Sequence, residues 1–216
     1  MYVPQHFAET DIAVLHALIG AHPLGTWVSA TDAGLVANHV PFLLDASRGE
    51  HGTLVAHVAR ANPIWRTFST SLPSLVVFQG AQAYVSPSWY PSKRAHGKAV
   101  PTWNYVVVHA QGVPRAIEER AWLRTHLQML VSVHEAPQAV PWKIADAPDD
   151  FIDGLLRVIV GIEIPIATLV GKWKVSQNRP DADKLGVVEG LSARGDPPSA
   201  AMADLVRRHI PPSAEG

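Results

Sequence analysis

The sequence predicts a small antiparallel β-barrel with helices at its periphery, a mainly β arrangement of the α+β class. Three observations carry that expectation. At least six strand-like runs follow one another along the chain, short turns join them, and the helical patterns lie before, between and after them. Closing such a sheet removes its unpaired edges, and a barrel this small is filled by its own side chains. A ligand as large as a nucleotide would then sit outside the barrel or between two copies, which argues for a dimer.

The elements follow in order. Asp11 is placed to cap a helix in which Ile12, Leu15, Leu18 and Ile19 share a face, and His22-Pro23 closes it. Leu24 to Thr31 and Leu35 to Leu44 partly alternate on either side of Asp32-Ala33-Gly34 and read as a hairpin. Thr53 to Ala59, Ser74 to Gln79 and Ala81 to Val85 continue the strand series, with a tight connection expected at Gly80. Val100 to Ala110 is a long strand ending at a Gln111-Gly112 turn. Ile117 to His134 has helical spacing through Trp122, Leu127, Leu130 and Val131, and a shorter helix follows Pro148 with Asp149 and Asp150 at its start. Ile159 to Val170 is rich in β-branched residues, with Ile162, Ile164 and Ile166 on one face and Glu163 on the other. Pro165 points to an edge strand or a bulge there. After Asn178 the composition turns polar, and Ser199 to Ile210 is the last helical candidate. The expected division is a main domain over 1–178 and a partly helical extension over 179–216.

Composition excludes several classes. The chain has 216 residues, 47% of them hydrophobic, which is enough for one domain with an appendage. Charged residues make up 17% and the formal net charge is -1, so no broad basic footprint marks a nucleic-acid binder. There is no cysteine, which removes disulfides, thiolate nucleophiles and Cys-ligated zinc. No leader pattern and no apolar run of membrane-spanning length is visible, so a cytoplasmic protein without a membrane partner is expected. The eleven histidines show no metal spacing, and His134-Glu135-Ala136-Pro137-Gln138 departs from the HExxH zinc pattern at its last position. No metal site is assigned. Walker, dinucleotide and nucleophile-elbow motifs are also missing from the sequence.

What remains is a set of polar clusters at strand ends. Tyr84 to Lys93 (YVSPSWYPSK) and Val100 to Tyr105 (VPTWNY) interleave indoles with hydroxyls, an amide and an ammonium. Such a set suits a flat phosphorylated heterocycle, whereas Pro87, Pro91 and Pro101 equally suit rigid loops. In the second segment Thr102 and Asn104 share one face of a strand and Trp103 takes the other, toward protein. Within His57 to Pro63, Arg60 is suited to a bidentate phosphate contact or to a surface carboxylate, with Asn62 as a turn residue and His57 as a donor or a packing ring. Lys93 heads a basic run with Arg94, His96 and Lys98. Gly171 to Arg179 (GKWKVSQNR), read as a strand, puts Lys172, Lys174 and Ser176 on one side, either as a ligand stripe or as a solvent face.

Together, MYVPQHF, ANHVPFLL, HVARANPIW, YVSPSWYPSK, VPTWNY, VGIEI and GKWKVSQNR resemble the PaiB family over residues 1 to about 191. The resemblance implies an FMN-binding split barrel with Greek-key-like connections, usually a homodimer with flavin at the subunit interface. It places His57, Arg60 and Asn62 at the turn that meets the FMN phosphate, and Ser86, Ser88, Trp89 and Lys93 on the next loop. Thr102, Trp103 and Asn104, then Lys172, Ser176 and Gln177, are implied as the remaining walls. The family's members are often called negative transcriptional regulators, which implies a flavin-dependent or flavin-responsive regulator of gene expression. An FMN-dependent oxidoreductase or flavin reductase using NAD(P)H is the alternative, with heme binding behind it. Direct DNA binding has no recognition helix to support it.

Overall fold

The computed structural model describes residues 1–211. In chain order its elements are β1 (Ala8–Glu9), α1 (Ile12–Ala21), β2 (Leu24–Thr31), β3 (Gly34–Pro41), β4 (Leu43–Asp45), β5 (Thr53–Ala59), α2 (Ile64–Thr67), β6 (Ser74–Val85), α3 (Pro91–His96), β7 (Thr102–Gly112), β8 (Arg115–Ile117), α4 (Arg120–Glu135), α5 (Asp149–Arg157), β9 (Ile159–Pro165), β10 (Thr168–Lys174), α6 (Asp181–Ser192) and α7 (Pro197–Arg207). Six strands form one sheet in the order β1-β10-β7-β6-β2-β3, and four form another in the order β4-β5-β9-β8. The fold class is the expected one: mainly antiparallel β of split-barrel type, with peripheral helices.

The chain forms two compact units. One comprises Ile19–Phe78 and His109–Leu169. Its four-stranded sheet is held by a seven-residue antiparallel register from Thr53↔Pro165 to Ala59↔Ile159. Leu54, Ala56, Ile162 and Ile164 are fully buried on one face there, and Thr53, Val55 and Glu163 are buried on the other. Leu123 of α4 packs with Ile144, Ile152 and Leu156 into a core cluster flanked by Trp122, Leu127 and Val131. The β2–β3 hairpin turns at Asp32-Ala33, where Gly34 takes a φ of 107° that a side chain would oppose.

The other unit comprises Met1–Leu18, Gln79–Val108 and the described residues from Val170 onward. There β1 pairs with β10 through Ala8↔Lys172 and Glu9↔Gly171. Asp11 accepts from the Ala13 N–H at 2.8 Å and caps α1 as expected. Helices α6 and α7 bury Val187, Val188 and Leu191 with Met202, Ala203 and Val206.

Several boundaries differ from the sequence expectation. No turn forms at Gly80, because β6 runs unbroken from Ser74 to Val85. Likewise β7 runs through Gln111-Gly112, and the run Ile159 to Val170 is two strands separated at Ile166-Ala167. β9 is not an edge strand. The strand lies between β5 and β8, and Pro165 ends it two residues past the last pair with β8, so its missing N–H falls where the ladder stops. Ile117 belongs to β8, and the long helix begins only at Arg120. The polar stretch after Asn178 contains α6, a helix concealed by the charged residues Asp183 and Lys184 on its buried face. Residues 212–216 of the expected extension lie outside the described residues.

Candidate functional site

A cavity of about 220 Å3 is lined by Phe7, Thr102, Asn104, Lys174, Ser176, Asn178 and Arg179. Strand alternation brings Thr102 and Asn104 to the same side of β7, and β10 ends beside them with Lys174. The Lys174 ammonium donates to Thr102 Oγ1 at 2.7 Å, and Asn104 Nδ2 donates to Ser176 Oγ at 2.9 Å. Asn104 is only 1% exposed, yet its Oδ1 has no partner. A buried acceptor left unpaired is destabilising unless something else binds it. Two cations and no carboxylate line the cavity, so it favours an electron-rich ligand.

Ser176 reaches this place through a left-handed backbone, φ 65°, which residues other than glycine seldom adopt. Gln177 holds the turn: its Oε1 accepts from Val175 N–H at 2.8 Å and its Nε2 donates to the Trp173 carbonyl at 2.5 Å. The chain therefore leaves the strand at Lys174, and the expected strand through Arg179 stops short. Arg179 sits with its guanidinium 5.0 Å from the centre of the Tyr90 ring. Of the predicted residues, Thr102, Asn104 and Ser176 come together, while Gln177 braces the turn. Lys172 is elsewhere, donating to the Tyr2 carbonyl at 3.1 Å and facing the Tyr2 and Tyr105 rings. Lys174, which the sequence set on one stripe with Lys172 and Ser176, takes its place, whereas Arg179 was visible only as a member of the same polar run. Trp103 reverses expectation, since it is 48% exposed and donates to Gln82 Oε1 at 3.0 Å.

The Trp-bearing loop is committed to local structure. Ser86 accepts from Ser88 N–H and pairs with the Ser88 hydroxyl at 2.6 Å, which caps a single 3-10 turn. The Trp89 indole lies on α6, where a Cβ at Gly190 would run into the ring, and Arg194 stands 5.1 Å over it. Lys93 is exposed on the short helix α3. A groove of about 600 Å3 runs along Trp89 and α6, but none of its lining residues carries a buried unpartnered polar atom.

In the other unit His57, Arg60 and Asn62 are bound to their own surroundings. The Arg60 guanidinium donates to the Arg157 and Ile159 carbonyls and to Glu118, so all three of its nitrogens have partners. Asn62 donates to Asn38 Oδ1 at 2.8 Å and accepts from the Ile64 N–H. His57 Nδ1 lies 3.1 Å from Nε2 of His126, a buried ring whose Nδ1 has no partner. His126 stacks on Trp122, and Trp122 donates to Glu163, which is paired in turn with Arg48. Burial lowers the pKa of both histidines, that of His126 to about 4, so the pair is neutral at physiological pH. Among the described residues no group of three or more His, Cys, Asp or Glu is placed to hold a metal ion. None of the described helices is long and apolar enough to cross a membrane.

Comparison with known proteins adds the family. The profile described as "Putative FMN-binding domain" matches residues 1–168. "Protease synthase and sporulation protein PAI 2" of Bacillus subtilis (strain 168) is 31% identical over 206 residues, 95% of this chain and 96% of that protein. The chain belongs to the PaiB family. Solved structures agree on the fold of this PaiB chain. The flavocytochrome Anf3 from Azotobacter vinelandii superposes with a TM-score of 0.56 at 13% identity, over 80% of this chain and 72% of that one. The FAD and heme binding protein from Mycobacterium smegmatis gives 0.56 at 16% identity, over 77% and 73%. A PaiB chain thus carries an FMN-binding domain. FMN presents both hydrogen-bond donors and electron-rich acceptors, and the cavity offers an unpaired acceptor beside an ammonium, a guanidinium and hydroxyls. The residues present fit the cofactor.

Proposed function

We propose that this chain is a flavin-responsive regulator of gene expression that binds FMN as a homodimer, with the Asn104 cavity forming part of the flavin site. The observation that carries the flavin site is the buried, unpartnered Asn104 Oδ1 in a cavity with Lys174 and Arg179. Bound FMN supplies reversible electron-transfer chemistry, and the chain's own residues bind and orient it. The lining contains no imidazole, thiol or carboxylate to move a proton near neutrality, which favours binding over acid–base turnover. The regulatory part draws on PAI 2, whose name ties that protein to protease synthesis and sporulation. A formal net charge of -1 supplies no broad attraction to DNA, so control would act through local contacts or a protein partner. This reading carries a cytoplasmic location.

Flavin fluorescence during titration tests the first half, with saturable FMN quenching expected. Transcript profiles of a deletion strain complemented with wild type or Asn104→Leu test the second. Identical profiles from both would argue against flavin-responsive control. Rapid turnover of NADH or NADPH by the FMN-loaded protein would instead favour a flavin-dependent oxidoreductase.

A further inference from the structure

We infer that the Asn104 cavity reads the cyclic imide edge of the flavin ring, its C2=O, N3–H and C4=O side, and not the phosphate. The inference rests on the flavin-binding reading and narrows it to one end of the ligand. An imide edge offers two acceptors and one donor. The cavity offers the complement: donors on Lys174 and Arg179, and one buried acceptor without a partner, Asn104 Oδ1.

The orientation of the amide follows from its surroundings. Asn104 Nδ2 donates to Ser176 Oγ at 2.9 Å, which leaves the oxygen as the end without a partner. A cavity containing two cations also favours the carbonyl end of the amide dipole over its NH2. Lys174 uses one proton on Thr102 and retains two. A phosphate accepts hydrogen bonds and carries about 1.5 to 2 negative charges, so it would leave Asn104 Oδ1 unpaired and facing a like-signed oxygen. The volume agrees, because about 220 Å3 admits one edge of a ring system and not a whole nucleotide.

The test is fluorescence titration of the full chain with FMN, riboflavin, lumiflavin and N3-methyllumiflavin, with circular dichroism as the check on folding. Wild type should bind lumiflavin about tenfold or more tightly than its N3-methyl form, the loss expected when a buried acceptor loses its donor. Asn104→Asp keeps an acceptor oxygen and should retain riboflavin and FMN alike. Asn104→Leu and Lys174→Met should each weaken FMN and riboflavin by equal factors. Indifference to N3-methylation overturns the inference, as does Asn104→Asp or Lys174→Met changing FMN affinity while sparing riboflavin, because either result puts the phosphate here. Failure of wild type to bind any flavin overturns the flavin reading itself. Uridine carries the same edge, and displacement of lumiflavin by uridine at comparable concentration would assign the cavity to a pyrimidine nucleotide instead.

Discussion

At the scale of single residues, His126 has the most to lose from a proton. Burial, reinforced by the neighbouring His57, holds its pKa at about 4 against an ordinary 6.5. The unfolded chain therefore binds the proton first as pH falls. Stability is complete above about pH 6.5 and declines toward pH 4, by roughly 3 kcal/mol for a shift of this size. Urea midpoints across that range should fall with pH, and His126→Gln should flatten the slope between pH 6.5 and 4.5. An unchanged slope would mean that the ring is solvated. Glu163 acts lower on the scale, because the Arg48 hydrogen bonds hold its carboxyl below 4.5 and its contribution is lost only as pH falls through that depressed value. Glu163→Leu would strand the Trp122 N–H and one face of Arg48, destabilising by about 2 kcal/mol given that Arg48 is 44% exposed. Asn104 was legible in the sequence, since alternation along β7 sets it beside Thr102. The choice between Lys172 and Lys174 was not. It is decided by the Tyr2 carbonyl, 170 residues away, which no local pattern announces.

At the scale of elements, two helical glycines predict opposite responses to the same substitution. Gly154 in α5 has nothing within 4 Å of the place a β-methyl would take, so Gly154→Ala should stabilise by about 1 kcal/mol through helix propensity alone. At Gly186 in α6 the Trp89 carbonyl oxygen already fills that place. There a propensity gain of about 1 kcal/mol meets a backbone clash of about 3, and Gly186→Ala should destabilise by about 2 kcal/mol in urea unfolding. Equal effects at the two sites would show that α6 is not seated on the Trp89 loop. The same packing explains what could be read in advance. Strands with an alternating face, such as β2 and the first half of β6, were visible because burial imposes a period of two. The helix α6 was missed because its buried face includes Asp183 and Lys184. Those charges are satisfied by partners far along the chain: Asp183 accepts from Ser92, and Lys184 donates to the His209 carbonyl.

At the scale of the whole molecule, cavity size sets the expectation. Sites that enclose a ligand of nucleotide size span about 300 to 1,000 Å3. The Asn104 cavity, at about 220 Å3, covers one edge and leaves the rest of FMN to be enclosed by other protein surface. A second copy of the chain is the occupant proposed for that role, and binding equilibria then make the two events reciprocal: if dimerisation tightens FMN tenfold at each of the two equivalent sites, each bound FMN tightens the dimer by the same factor, about 1.4 kcal/mol per flavin. Sedimentation velocity across a dilution series should show the monomer–dimer midpoint moving to lower protein concentration when FMN is saturating. Asn104→Leu should remove that shift without moving the midpoint of the ligand-free chain, because Asn104 is buried and its hydrogen bond goes to Ser176 of the same chain. A flavin-loaded monomer with wild-type affinity would show instead that one chain encloses the cofactor unaided.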